Sequence, residues 1–155
     1  MKVVLPAKIV DTLCSELKMA GRREIGGILM GEHTGDDEFE VCDITIQRIG
    51  GGFAFFERAA HNVLSAMARF FDRTGKNYKR FNYLGEWHSH PSFVPSPSGV
   101  DHDTMIDLTS DPTFRGNFAV LMVIKLDTSG YLDGTVNIFY PNKSPHTAEL
   151  IINKV

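Results

Sequence analysis

One long amphipathic helix, set between short strand-like segments, constrains this 155-residue chain more than any other feature of its sequence. Over Glu57–Thr74 the apolar residues recur at helical spacing, and Gly75 follows as a stop. A second helical pattern begins at Pro6 and ends at Gly21. The other apolar runs are short and bounded by glycine, proline or aspartate, which is typical of strands. The predicted strands are Glu24–Met30, Phe39–Ile49, Phe81–His88, Phe118–Leu126, Thr135–Tyr140 and His146–Ile152.

Helices among such strands predict an α/β fold, built as a mixed, mostly antiparallel sheet flanked by helices. Residues 35–37, Gly-Asp-Asp, are expected to form a hairpin turn. A third, short helix is expected from about Gly99 to before Asp111. Hydrophobic residues make up 43% of the chain, so residues 1–155 are expected to form one domain that buries a core without disulfides.

The charge and the apolar runs of the chain exclude several classes of function. The 16 basic and 19 acidic residues give a formal net charge of -3, so neither a nucleic acid nor a membrane is expected as a partner. The chain has no apolar run long enough to span a membrane and no signal-peptide pattern at its start, which predicts a cytoplasmic protein. Cys14 and Cys42 form no CxxC pair and are expected to be small buried hydrophobes.

The strongest chemical signal lies in the segment Gly85–Pro91. His88 and His90 are two apart at the end of a predicted strand, so their side chains point the same way and converge. Asp101, in the first turn of the next predicted helix, is the natural third ligand once the proline-rich loop folds back. Two imidazoles and a carboxylate, with a fourth position left to water, are a standard catalytic zinc arrangement. The sequence therefore predicts a site for one Zn²⁺ ion.

Each of these residues also has a simpler explanation. A histidine pair at a strand end is often just a polar rim, and Ser98 with Asp101 forms a capping-box-like pattern before a helix. The joint spacing His-x-His-x7-Ser-x2-Asp favours a metal site, and a cap would also fix where the carboxylate points. Other metal patterns fit worse, since the chain has no His-Glu-x-x-His helix.

Together these residues resemble the active-site signature of the JAMM (MPN-plus, JAB) metallopeptidases. The matching residues are Glu24 in the segment Glu-Ile-Gly-Gly-Ile-Leu-Met-Gly, then His88, His90, Pro91, Ser98 and Asp101. The segment Gly85–Pro91, Gly-Glu-Trp-His-Ser-His-Pro, is especially similar to the prokaryotic JAB branch. One departure is that many members carry Cys-Gly where this chain has Gly26 and Gly27. The resemblance implies a cytidine-deaminase-like α/β sandwich and hydrolysis of isopeptide or peptide bonds at the C-terminus of ubiquitin or a ubiquitin-like protein.

The resemblance also implies a role for each residue of the signature. His88, His90 and Asp101 would hold the zinc, Glu24 would act as the general base, and Ser98 would support the oxyanion. Glu86 is a rival base, because positions 86, 88 and 90 share one face of the predicted strand. Trp87 is expected to pack in the core.

The substrate-binding surface is less clearly marked. The candidate walls of a groove for the modifier's tail are residues 51–58 (Gly-Gly-Phe-Ala-Phe-Phe-Glu-Arg), residues 76–80 (Lys-Asn-Tyr-Lys-Arg) and Ser92–Pro97. The expected substrate is a ubiquitin-like protein or its conjugate, and ubiquitin-like activating or conjugating enzymes are possible partners. The alternatives are a peptidase acting on a sulfur-carrier protein and a partner-dependent scaffold of low intrinsic activity.

Overall fold

The computed structural model describes residues 1–48 and 54–153, apart from the side chains of residues 54–60. The described residues form three helices and seven strands. The helices are α1 (Ala7–Ala20), α2 (Ala54–Arg73) and α3 (Gly99–Ser110), and the strands are β1 (Lys2–Leu5), β2 (Gly26–Gly35), β3 (Glu38–Ile44), β4 (Phe81–Ser89), β5 (Ala119–Leu126), β6 (Leu132–Phe139) and β7 (His146–Ile152). No helix in this described part is long and apolar enough to cross a membrane.

The seven strands pair in the order β1-β3-β2-β4-β5-β6-β7 and close into a barrel. β1 runs parallel to β3 and β7, and β4 runs parallel to β5, whereas the other pairs are antiparallel. The predicted α/β fold with a mixed, mostly antiparallel sheet is therefore confirmed. The expected cytidine-deaminase-like sandwich is not confirmed, because β1 joins β3 to β7 and so closes the sheet into a ring.

Helices cover both faces of this sheet, and the alternation of strand residues decides which helix each residue meets. Leu29 and Val120 face α1 and belong to the largest apolar cluster. Their neighbours along the strands face the other way: Leu121 packs with Met105 of α3, and Ile28 packs with Phe70 of α2. Trp87 lies in the α1 cluster and is 1% exposed, which confirms the expectation that it packs in the core.

The register of β4 determines which groups lie beside the histidine pair. In the pairing of β2 with β4, Gly26 lies opposite His88, and on the other side of β4 His88 lies opposite Val123. Phe81, at the start of β4, lies opposite Glu32 near the far end of β2. The seven residue-to-residue steps from Phe81 to His88 span about 23 Å of strand.

This register contradicts one expectation about the substrate groove. Residues 76–80 precede β4, and the Arg80 carbonyl accepts a hydrogen bond from the His33 N–H at 2.8 Å. That loop therefore lies at the end of the barrel away from the histidines, so it cannot line a groove at the predicted zinc site. Residues 51–53 and the side chains of Phe55 and Phe56 lie outside the described residues.

Candidate metal centre

Three segments bring the predicted ligands together. His88 lies near the end of β4, and His90 follows the last residue of that strand. The His90 N–H donates to the Ile124 carbonyl of β5 at 2.9 Å, which extends the strand-like course of the backbone past the end of β4. Asp101 lies in the first turn of α3, as the sequence predicts.

The three ligand atoms converge at spacings that suit a small metal ion. His88 Nε2 and His90 Nε2 are 3.1 Å apart, and Asp101 Oδ2 lies 3.6 Å and 4.0 Å from them, respectively. A tetrahedral zinc with bonds of about 2.0–2.1 Å holds its ligand atoms about 3.3–3.4 Å apart. The donor set fits zinc in both chemistry and spacing. Within the described residues, it is the one group of three His, Cys, Asp or Glu side chains that is close enough to hold a metal ion.

The protonation states of these side chains also suit metal binding. Burial lowers the pKa of His88, with a smaller opposing effect from Asp101. Burial alone would raise the pKa of Asp101, but hydrogen bonds from Ser98 and the neighbouring histidines lower it overall. A neutral imidazole and an ionised carboxylate are the forms that ligate a metal.

Ser98 caps α3 and orients the Asp101 carboxylate. Its backbone N–H and its hydroxyl each donate to Asp101 Oδ2 at 2.7 Å, and the Asp101 N–H donates back to Ser98 Oγ at 3.3 Å. This reciprocal arrangement is a capping box, which confirms the capping pattern read from the sequence. The single hydroxyl proton of Ser98 is directed at the carboxylate in this arrangement, so donation to an oxyanion requires the hydroxyl to rotate.

Glu24 precedes β2 instead of opening it, and lies two residues before Gly26, which pairs with His88. Its charge acts on His88, where it opposes the lowering of the imidazole pKa. The backbone next to Glu24 is held by Ser89, whose hydroxyl accepts from the Ile25 N–H at 3.0 Å and whose N–H donates to the Ile25 carbonyl at 2.8 Å. Ser89 was not singled out from the sequence, although its place between the two histidines was the available signal.

Gly26 allows the start of β2, close to Glu24 in sequence, to approach β4 closely. A Cβ at this position would lie 2.5 Å from the Trp87 carbonyl oxygen and 3.0 Å from the Cβ of His88. A larger residue here would push β2 away from the histidine strand, because the nearest obstacle is backbone.

Glu86 has a different environment from Glu24. It is 7% exposed, and the Tyr83 hydroxyl donates to its Oε1 at 3.5 Å. Burial raises the pKa of Glu86 to about 8, although the Tyr83 hydrogen bond opposes this. A β-bulge explains the contact, since Leu29 pairs with Gly85 and the next residue of β2 pairs with Tyr83. The extra residue of β4 puts Tyr83 and Glu86, three apart in sequence, on the same face.

The loop Ser92–Pro97 lies against the histidines, in contrast to the loop at residues 76–80. The Val94 carbonyl lies 3.2 Å from His90 Nδ1, and the rings of His90 and Phe93 have centroids 6.4 Å apart. Phe93 and Val94 are 68% and 70% exposed, so the apolar rim of the site faces solvent. His102 is half-buried, with its ring 5.5 Å from that of Phe139.

Comparison with known proteins shows similarity in family, sequence and fold. The family described as prokaryotic homologs of the JAB domain matches residues 6–131. Over 132 residues the chain is 27% identical to a protein of Enterobacter hormaechei subsp. hoffmannii named CD-NTase/cGAS isopeptidase, an alignment that covers 83% of this chain and 69% of the relative. A solution structure from Desulfitobacterium hafniense has 16% identity and a TM-score of 0.66, and covers 99% of this chain and 94% of its own. A second, from Salinibacter ruber, has 19% identity and a TM-score of 0.55, with coverage of 99% and 92%. At these identities the two structures show similarity of fold alone.

Proposed function

The chain belongs to the family of prokaryotic homologs of the JAB domain, and we propose that it is a zinc isopeptidase that cleaves after the C-terminal tail of a ubiquitin-like protein. The observation that carries this proposal is the convergence of two imidazole nitrogens and one carboxylate oxygen within 4.8 Å of one another. We place the activity in one cytoplasmic domain over residues 1–155.

The proposed chemistry divides between the metal and the residues around it. When bound, zinc would lower the pKa of a coordinated water to about 7 and polarise a carbonyl oxygen. His88, His90 and Asp101 would hold the metal, and the Ser98 hydrogen bonds lower the pKa of Asp101 and orient its carboxylate.

Glu24 is the proposed general base. It is half-buried at the edge of the site, and its charge is felt at His88. A base must lie within hydrogen-bond reach of the proton that it accepts, directly or through one water. Glu24 would accept a proton from the attacking water and deliver it to the leaving amine. Glu86 suits this role less well, because it is buried beside Tyr83 and its carboxyl stays protonated at neutral pH.

Ser98 is proposed to support the oxyanion in addition to its capping role. Its hydroxyl lies at the N-terminus of α3, next to the carboxylate that faces the histidines. Rotation of the hydroxyl away from Asp101 would free its proton for the oxygen that gains charge as the amide carbon becomes tetrahedral.

The name of the Enterobacter relative supports a narrower proposal for the substrate. That protein is named CD-NTase/cGAS isopeptidase, a name for an enzyme that cleaves an isopeptide bond. For this chain we propose a conjugate of the same chemistry, in which the glycine-ended tail of a ubiquitin-like protein is joined to a lysine of another protein. Ubiquitin-like activating and conjugating enzymes are then the expected partners.

The test uses the zinc-loaded full chain and two matched carboxylate variants. The substrates are ubiquitin and several bacterial ubiquitin-like proteins, each joined through its C-terminal glycine to the lysine of a fluorescent peptide. We expect cleavage by the unchanged chain, loss of turnover with zinc retained in Glu24→Gln, and substantial activity in Glu86→Gln. The reverse result for the two variants would identify Glu86 as the base.

A second set of substrates separates the alternatives. Cleavage of linear fusions of a sulfur-carrier protein, with no cleavage of the isopeptide substrates, would establish the sulfur-carrier function. Bound zinc with no cleavage of either set, even with candidate partner proteins added, would establish a scaffold.

A further inference from the structure

The hydrogen bond at His90 Nδ1 identifies which nitrogen of this ring carries the proton. Nδ1 lies 3.2 Å from the Val94 carbonyl oxygen, and a carbonyl oxygen only accepts. The hydrogen bond therefore requires the proton on Nδ1, which leaves Nε2 with a free lone pair. Nε2 is the atom that faces His88 and Asp101.

The Val94 carbonyl is itself held by a short turn. The Ser96 N–H donates to it at 2.8 Å, across Pro95. Such a bond between residues two apart is that of a γ-turn, and the fixed φ of proline suits its central position. The Val94 oxygen therefore accepts from both Ser96 and His90.

Thr135 of β6 holds this turn through a hydrogen bond. Its hydroxyl donates to the Pro95 carbonyl oxygen at 2.6 Å, across 40 residues of sequence, and Pro95 is buried. The Pro95 carbonyl and the Ser96 N–H belong to the same planar peptide unit. A hydroxyl that fixes the carbonyl therefore also fixes the direction of the N–H, and with it the position of the Val94 oxygen.

The sheet register explains why Thr135 reaches this loop. Thr135 lies opposite Val123 in the pairing of β6 with β5, and Val123 lies opposite His88 in the pairing of β5 with β4. The three residues form one row across three strands, about 10 Å long, and side chains in such a row point to the same face. The hydroxyl thus lies on the face of the sheet that carries the predicted zinc ligand.

We propose that Thr135 is a positioning residue for the metal centre, which acts through the Pro95 and Val94 carbonyls to hold His90 with Nδ1 protonated and Nε2 free. This inference rests on the proposed metal site, since it assigns Nε2 of His90 as a ligand atom. Groups that orient a ligating imidazole typically affect metal affinity 10–100-fold.

The test compares three variants. Thr135→Val removes the hydroxyl and keeps the branched shape, Thr135→Ser keeps the hydroxyl, and Thr34→Val is the matched control. The Thr34 hydroxyl also lies within hydrogen-bond distance of a backbone carbonyl, that of Glu38, and of the Glu38 carboxylate, but in the β2–β3 hairpin at the other end of the barrel. Thermal unfolding with chelator present checks that all three variants fold.

Two measurements decide the outcome. Zinc affinity, by competition with a chelating dye, should fall about 10–100-fold in Thr135→Val and stay within about threefold of the unchanged chain in Thr135→Ser and Thr34→Val. In the metal-free protein, long-range ¹⁵N–¹H spectra should show His90 in the Nδ1–H form, and a mixture of both forms in Thr135→Val. Unchanged zinc affinity and an unchanged His90 spectrum in Thr135→Val would overturn the proposal. A Thr135→Ser variant that restored neither the zinc affinity nor the His90 spectrum would also overturn it.

These measurements also separate this proposal from the proposed function. If the unchanged chain binds no zinc, the isopeptidase proposal fails, while the His90 spectra of the metal-free variants still decide the role of Thr135. If zinc binds and only the cleavage assay fails, the zinc affinities and the His90 spectra of the Thr135 variants still test the role of Thr135.

Discussion

Replacing Glu86 with glutamine should stabilise this protein at neutral pH. The carboxyl is 7% exposed and burial raises its pKa from 4.5 to about 8, so the folded chain keeps it protonated at pH 7. In the unfolded chain the same carboxyl ionises freely. Glutamine has nearly the same shape and never ionises, so Glu86→Gln removes this advantage of the unfolded state.

The size of the effect depends on pH. Below pH 4.5 the Glu86 carboxyl is protonated in both the folded and the unfolded state, so it does not lower the free energy of unfolding. As the pH rises towards 8, only the unfolded state releases the proton, and the free energy of unfolding falls. Because pH 7 lies about 2.5 units above the unfolded-state pKa and still below the folded-state pKa, the buried carboxyl costs about 3 kcal/mol at pH 7, at about 1.36 kcal/mol per unit. The gain in Glu86→Gln should therefore be about 3 kcal/mol at pH 7 and close to zero at pH 4.5.

Urea unfolding of the chelator-treated protein at pH 4.5, 6, 7 and 8 measures this gain. Glu149→Gln is the control, because it makes the same substitution at an exposed position of β7. A gain for Glu86→Gln that does not change with pH, or a loss of stability at pH 7, would refute the reasoning that burial keeps this carboxyl neutral.

Two other substitutions test the site and the strand that carries it. Ser98→Ala removes the cap of α3 and the proposed oxyanion donor. It should lower the free energy of unfolding in urea by about 1 kcal/mol and lower kcat about 10²–10³-fold, while zinc stays bound. A normal kcat would show that Ser98 acts only as a helix cap. Gly85→Ala should destabilise the chain by at least about 3 kcal/mol in the same measurement, because φ at Gly85 is 152° and a Cβ would overlap the Val120 carbonyl; a stable Gly85→Ala would contradict this account of the bulge.

Most elements of the fold follow from local patterns in the sequence. The helix expected between Pro6 and Gly21 is α1, Ala7–Ala20, with Pro6 as its N-cap and Gly21 at a φ of 62°. The third helix was expected from about Gly99 to before Asp111 and spans Gly99–Ser110. These elements are predictable because periodicity, caps and turn residues act over a few neighbouring positions.

The strand β1, Lys2–Leu5, was missed, and with it the closure of the barrel. A run of four residues before a proline carries little signal of its own. Its partners, β3 and β7, lie more than thirty and more than a hundred positions further along the chain, and both pairings are parallel. Parallel pairs join distant segments, so no local pattern marks them.

The convergence of His88, His90 and Asp101 was predictable because their spacing along the chain fixes the directions of their side chains. Two histidines at strand spacing point the same way, and a capping box fixes the direction of the aspartate, so local structure alone orients the three donor atoms. The support of His90 was not predictable, because Thr135 is 40 residues from Pro95 and is marked by no motif. Only the row of Thr135, Val123 and His88 across three strands brings that hydroxyl under the loop.

The sequence by itself determined which side chains are able to hold the metal, and it left two carboxylates as candidates for the base. The tertiary structure gave these two carboxylates different surroundings. The bulge in β4 turns Tyr83 towards Glu86 and buries that pair, while the hydrogen bonds of Ser89 to Ile25 hold Glu24 beside the histidines. Glutamate has the same chemistry at both positions, so burial and register, which depend on strands far apart in sequence, decide what each one is able to do.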